Sequence, residues 1–181
     1  GFHIGINVAA SHFRHAALIQ DLNRLWFSAG PRQQLVIELT ERDALLDADY
    51  RIVRELHRKG VKLAIDDFGT GNSSLSWLEK LHPDVLKIDQ SFITAIGTDA
   101  VNSTVTDIII ALGQRLNIEL VAEGVETEEQ ARYLRRHGVS VLQGFYYARP
   151  MPLRDFPQWL AGSAPPPAQH NGHIVPLMPL R

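Results

Sequence analysis

Lys62-Leu63-Ala64-Ile65-Asp66-Asp67-Phe68-Gly69-Thr70-Gly71 is an apolar run that ends in two adjacent acids and then in a glycine-rich turn. The part from Lys62 to Ile65 is short and nearly continuously apolar, which reads as a strand covered on both faces. Asp66 and Asp67 then fall at the C-terminal end of that strand. Gly69 and Gly71 permit a tight, positive-φ path away from the aspartates, and Ser73 or Ser74 can cap a helix running toward Leu81. The loop is not a Walker phosphate loop, because the Gly-Lys-Ser/Thr ending is absent.

The same grammar recurs on either side. Further strand-like runs are His3–Val8, Leu35–Leu39, Val85–Ile88, Leu120–Ala122 and Val139–Leu142. Helical periodicity fills the intervals at about Ala16 to Phe27, Ala48 to Lys59, Thr104 to Arg115 and Glu128 to His137. Thr127, followed by Glu128, Glu129 and Gln130, predicts a capping arrangement, and Gly60 and Gly138 stand where helices should stop. Repeated strand–helix units predict an α/β fold, either an open doubly wound sheet or a β/α barrel. Six units are visible in the 181 residues, whereas an eight-unit barrel typically takes about 250 residues. The expectation is an incomplete barrel over 1–161, with a missing N-terminal part. From 162 to 181 the helical period stops and Pro165, Pro166 and Pro167 stand in a row, which predicts a flexible tail.

Composition excludes several classes. A formal net charge of -2 argues against a surface for duplex nucleic acid, which needs clustered Lys and Arg. With no cysteine there is no disulfide framework, thiolate zinc site or cysteine nucleophile. No apolar run reaches the roughly 18 residues of a membrane span, so a cytoplasmic domain is expected, in a parent that could still carry an anchor. The eight histidines show no ligand-like pairing with acids and read as surface or core fillers. No Gly-x-Ser-x-Gly elbow supports serine hydrolase chemistry.

The informative pattern lies at the strand ends. Strand one finishes near Asn7, strand two in Glu38-Leu39-Thr40-Glu41, strand three in Asp66-Asp67 and strand four in Lys87-Ile88-Asp89. Strand five leads to Glu123 and Glu126, and strand six to Gln143. Any one of these groups alone is an ordinary cap, loop residue or buried polar partner. Their recurrence at six successive strand ends points to a site at the C-terminal rim, where parallel α/β folds carry their chemistry. Two carboxylates about 4 Å apart repel by roughly 4 kcal/mol at an effective dielectric of 20. Converging acids therefore call for protonation or for cations between them. An all-oxygen set suits Mg²⁺ or Mn²⁺ better than zinc, and adjacent aspartates can serve two ions. Lys87 beside them would offset negative charge and orient a nucleophilic water.

Ile6-Asn7-Val8, Glu38-Leu39-Thr40-Glu41, Asp66-Asp67-Phe68-Gly69-Thr70-Gly71, Leu86-Lys87-Ile88-Asp89, Val121-Ala122-Glu123-Gly124-Val125-Glu126-Thr127 and Gln143-Gly144-Phe145 resemble, in order, the successive motifs of EAL domains. The resemblance implies a modified TIM barrel that hydrolyses cyclic di-GMP to linear pGpG with two Mg²⁺ or Mn²⁺ ions. It implies Asn7, Glu38 and Asp66 as ligands of one ion. Asp66, Asp67 and Glu123 would serve the second, Asp66 bridging, and Lys87 and Glu123 would be catalytic. Glu41 resembles the glutamate that fixes the loop after Asp67. Asp89, Glu126 and Gln143 resemble supporting residues, and the expected assembly is a homodimer through the barrel. The family's naming Glu-Ala-Leu motif lies ahead of the region where this chain starts. Turnover is thus expected of the parent, and the alternative for this chain is a non-catalytic module binding cyclic di-GMP or a protein partner.

Overall fold

In the computed structural model, residues 3–14, 17–29, 34–40, 49–71, 75–98 and 101–162 are described. Six strands form one wholly parallel sheet in sequence order: β1 (His3–Asn7), β2 (Gln34–Thr40), β3 (Lys62–Phe68), β4 (Val85–Ile88), β5 (Glu119–Ala122) and β6 (Val141–Leu142). Helices α1 (Ala17–Leu25), α2 (Asp49–Arg58), α3 (Leu75–Leu81), α4 (Gln90–Thr94), α5 (Val101–Leu116), α6 (Glu128–Arg136) and α7 (Phe156–Gly162) accompany them. Sequential order with parallel pairing at every seam, and helices on the outer face, gives a curled half-barrel rather than a doubly wound sheet. The fold class expected from the sequence is the one observed. Among the described residues no helix is long and apolar enough to cross a membrane.

Strand alternation explains where the core sits. Leu35, Ile37 and Leu39 of β2 and Leu63 of β3 turn outward with Val53 and Leu56 of α2 into one apolar cluster. Ile65, Leu86, Ile88, Leu120 and Ala122 do the same against α5 and α6, meeting Ile109, Ile110, Ala131 and Leu134. The opposite set turns inward: Val36, Ala64, Val85, Val121 and Val141 form a separate small-residue layer inside the curl. Residues two positions further along the same strands are Glu38, Asp66, Lys87, Glu123 and Gln143. Period two thus carries them onto the inner face, one layer above.

The structure corrects several boundaries. β1 ends at Asn7 and β6 holds only Val141–Leu142, both shorter than read from sequence. β3 runs on to Phe68, three residues past the expected Ile65. α4 was not anticipated; it starts because the Asp89 side chain accepts the Ser91 backbone N–H at 2.9 Å and so serves as its N-cap. The Thr127–Gln130 capping box is present as expected. α7 occupies Phe156–Gly162 across the expected start of the tail; residues beyond it, like Ser73, Ser74 and Glu41, lie outside the described residues.

The histidine reading also needs correction. His57 Nε2 lies 3.2 Å from Asp84 Oδ2, so at least one histidine does pair with an acid. Asp84 links three elements, α2 through His57 and two strands besides: Oδ2 accepts the Leu63 N–H at 2.9 Å, its N–H donates to Leu63 O, and its carbonyl accepts from the Glu119 N–H. Burial alone would raise the Asp84 carboxyl, but the adjacent His57 imidazole and the Leu63 N–H outweigh it and hold the group below its ordinary value. A depressed carboxylate stabilises the fold above its unfolded pKa and loses that contribution as pH falls through the folded one. Asp84→Ala is therefore expected to lower the urea-unfolding free energy by about 1 kcal/mol at pH 7, discounted for partial exposure. The gap from wild type should close below about pH 4, which paired urea titrations at the two pH values will test.

Candidate functional site

Lys87 enters the interior from β4 and is 5% exposed, the most deeply buried charged side chain described. Its ammonium lies 2.6 Å from Glu38 Oε2, 2.7 Å from Glu123 Oε1 and 3.0 Å from Asp66 Oδ1. An ammonium has three donors, and here each has a carboxylate. Desolvation favours loss of the Lys87 proton, yet Glu123, Glu38 and Asp66 together reverse that and raise its pKa. Lys87 is thus a fixed cation and not a proton acceptor at neutral pH. For Glu123 burial raises the carboxyl first, Lys87 pulls it back, and Asp66 and Glu38 push it up again; the balance is a raised value.

Two backbone features deliver the acids. Gly5 of β1 faces Glu38, and a Cβ at that position would overlap Glu38 Oε1. The glycine is therefore the gap into which the Glu38 carboxylate fits. On β3 the pairing with β4 slips between Ile65 and Phe68, and Asp67 adopts a left-handed φ of 54°. Adjacent residues on a regular strand point to opposite faces. The slip and the left-handed residue let two neighbouring aspartates share one side. One carboxylate oxygen from each of Asp66, Asp67 and Glu123 then lies within 4.8 Å of the others, a spacing from which all three can reach a common cation. Asp66 Oδ1 also accepts the Asp67 N–H at 2.9 Å.

The predicted residues divide into groups. Glu38, Asp66, Lys87 and Glu123 are joined directly, and Asp67 completes the three-acid cluster. Asn7 ends β1 in register with Glu38 and is solvent-exposed. Asp89, Glu126 and Gln143 line an adjacent cavity of about 350 Å³ together with Asp67 and Glu123. Asp89 does so while its carboxylate caps α4.

Sequence reasoning missed three contributors. Gly5 is one; a glycine inside an apolar strand is a recognised sign of close approach. A second is Gln90, which lines the cavity and packs against the Gly124 backbone. The third is Phe145, half-exposed in the same cavity with the Arg149 guanidinium 4.4 Å from its ring centroid. No spacing rule pairs those two in advance.

Residues 1–150 match the family model described as EAL domain. The chain belongs to the EAL domain family. It is 81% identical over 180 residues to the probable cyclic di-GMP phosphodiesterase PdeD of Escherichia coli K12, covering 99% of this chain and 34% of that protein. The chain therefore spans about a third of the length of that curated relative. The EAL domain of Mycobacterium smegmatis DcpA superposes with a TM-score of 0.80 at 35% identity, over 89% of this chain and 74% of that one. Klebsiella pneumoniae BlrP1, solved as a manganese and cyclic di-GMP complex, superposes with a TM-score of 0.73 at 31% identity, over 81% of this chain and 38% of that one.

The donor set of this EAL chain fits a hard divalent cation: three carboxylates within mutual reach, oxygen only, with no cysteine available. Lys87 supplies the compensating charge at present. Lys87→Met should therefore cost about 3–5 kcal/mol in metal-free buffer, because it leaves buried carboxylates uncompensated. Millimolar Mn²⁺ should restore most of the lost melting temperature. Glu123 gives this rescue a pH sign: its raised pKa means that ionisation destabilises the metal-free fold as pH rises, so the Mn²⁺ gain should shrink on acidification. Thermal melts with and without Mn²⁺ at pH 7.5 and 5.5 will measure both effects.

Proposed function

We propose that the EAL chain's site belongs to a cyclic di-GMP phosphodiesterase, which hydrolyses one phosphodiester of the ring to give linear pGpG. The observation that carries this reading is the convergence of Glu38, Asp66, Asp67 and Glu123 around Lys87 at the strand ends. Supporting it are the identity to PdeD and the likeness to BlrP1, a protein solved with manganese and cyclic di-GMP.

Asn7, Glu38, Asp66, Asp67 and Glu123 would hold two Mg²⁺ or Mn²⁺ ions, Asp66 serving both. When bound, such a pair lowers the pKa of water and stabilises charge on the attacking and leaving oxygens of an in-line displacement. The chain's own residues do the rest. Lys87 stays protonated, so it acts as a donor and a charge. Its three donors are committed to carboxylates, and neutralising those carboxylates otherwise would free one for a water at phosphorus. Glu123, whose carboxylate lies beside Lys87 and within reach of Asp66 and Asp67, would hold the proton of that water or ligate. In the hydrolysis a water oxygen bonds to phosphorus, one bridging P–O bond breaks, and the released ribose oxygen takes a proton. Asp89, Glu126 and Gln143 line the adjoining cavity and would order substrate or water there. Domain limits of 1–161 with a separate tail, a cytoplasmic setting and a homodimer through the barrel belong to the same proposal.

Asp66→Asn is the sharpest test, since it removes a charge shared by both ions while keeping size. Mn²⁺-dependent release of pGpG should fall at least 100-fold, about the lower range for a general acid–base or electrostatic group, while circular dichroism stays as in wild type. Wild-type turnover in that variant would defeat the metal assignment. Cyclic di-GMP binding without turnover in the unmutated chain would instead support a non-catalytic binding module.

A further inference from the structure

The cavity beside the acids is lined by Asp67 of β3, by Gln143, Gly144, Phe145 and Ala148 after β6, and by two further segments that face it from neighbouring strand ends. Asp89 and Gln90 come from the β4–α4 side, and Glu123, Gly124 and Glu126 come from the loop after β5. Something must set the distance between them. The backbone Glu123 N–H bonds to Ile88 O, which ties the base of the loop to β4. Beyond Glu123 the loop leans on α4 at two further points.

The first is Gly124, with φ 67°, where a Cβ would stand 2.6 Å from Gln90 Cβ; only glycine allows the backbone this close. The second is Gln130, on the first turn of α6. Its Oε1 accepts the Glu126 N–H at 2.8 Å and the Thr127 N–H at 3.0 Å, and its Nε2 donates to Ile93 O of α4 at 3.3 Å. Two N–H groups demand the oxygen and a carbonyl demands the nitrogen, so the network itself fixes the orientation of the amide. The capping box uses only the oxygen. The nitrogen's bond is additional to capping and reaches another element.

We propose that Gln130 is a positioning residue for the site: its carboxamide fastens the Glu123–Thr127 loop to α4 and so sets the separation of the cavity walls. For metal binding the proposal rests on the reading given under Proposed function. For the loop itself it does not.

Glutamate separates the two jobs. Gln130→Glu keeps the acceptor that a capping box needs, since Glu and Gln both serve there, but a carboxylate cannot donate to Ile93 O. Gln130→Ala loses both. The full 181-residue chain and the two variants would be compared by thermal melting, by amide hydrogen exchange across residues 123–127, and by Mn²⁺ titration with electron paramagnetic resonance detection. The expectation for Gln130→Glu is near-wild-type melting, faster exchange at Gly124 and Val125, and Mn²⁺ binding weakened roughly tenfold, the usual lower range for an outer-shell change. The added negative charge alone would tighten Mn²⁺ binding, so weakening reports displacement of the acids. Gln130→Ala should add a loss of melting temperature. Wild-type exchange and Mn²⁺ affinity in Gln130→Glu would overturn the proposal. Should the unmutated chain bind no Mn²⁺, the metal reading of the site fails, and the exchange data alone decide for or against Gln130.

Discussion

A single buried ammonium holds the upper layer of this half-barrel together. Lys87 is enclosed by carboxylates from β2, from β3 and from the residue that follows β5, and neither side of that arrangement is tolerable alone. An unpaired lysine so deep would shed its proton, and unpaired acids so close would protonate or separate. Mutual compensation makes it possible to store several charges in a protein interior. It also leaves a net excess of negative charge, which is the property a divalent cation meets.

The interior is layered to allow this. Below the charged layer, Val36, Ala64, Val85, Val121 and Val141 fill the curl with small side chains. The charged layer therefore rests on an apolar one, with Lys87 two residues beyond Val85 on β4. Gly5 and the β3 irregularity are local departures from strand regularity that serve the same layer. One empties a position for Glu38, and the other turns Asp67 to the side of Asp66.

The opposite end of the strands does different work. There Asp84 links α2, β3 and β5 through His57, Leu63 and Glu119, and Lys62 pairs with Glu119 at 2.9 Å across two intervening seams. These polar contacts close the N-terminal ends of the strands and carry stability rather than chemistry. The separation is the one expected of parallel β/α architecture, where loops at the C-terminal ends vary for function over a fixed base. Gln130 belongs to the functional end, because it joins a strand-end loop to the helix that carries the neighbouring wall.

What the chain by itself determined follows from periodicity and chemistry. Apolar runs of strand length ending in Asn7, Glu38, Asp66, Lys87, Glu123 and Gln143 dictated parallel strands with a polar rim, since period two and a common strand direction bring such ends together. What only the tertiary structure decided is the set of contacts across strands. That Lys87 reaches three acids, that Gly5 yields to Glu38, that Asp67 turns left-handed, that His57 meets Asp84, and that Gln130 reaches Ile93 all depend on the curvature of the sheet and on register between distant segments. A linear pattern records which face a side chain takes. Which partner stands opposite is settled only when the sheet curls and the inner face closes on itself.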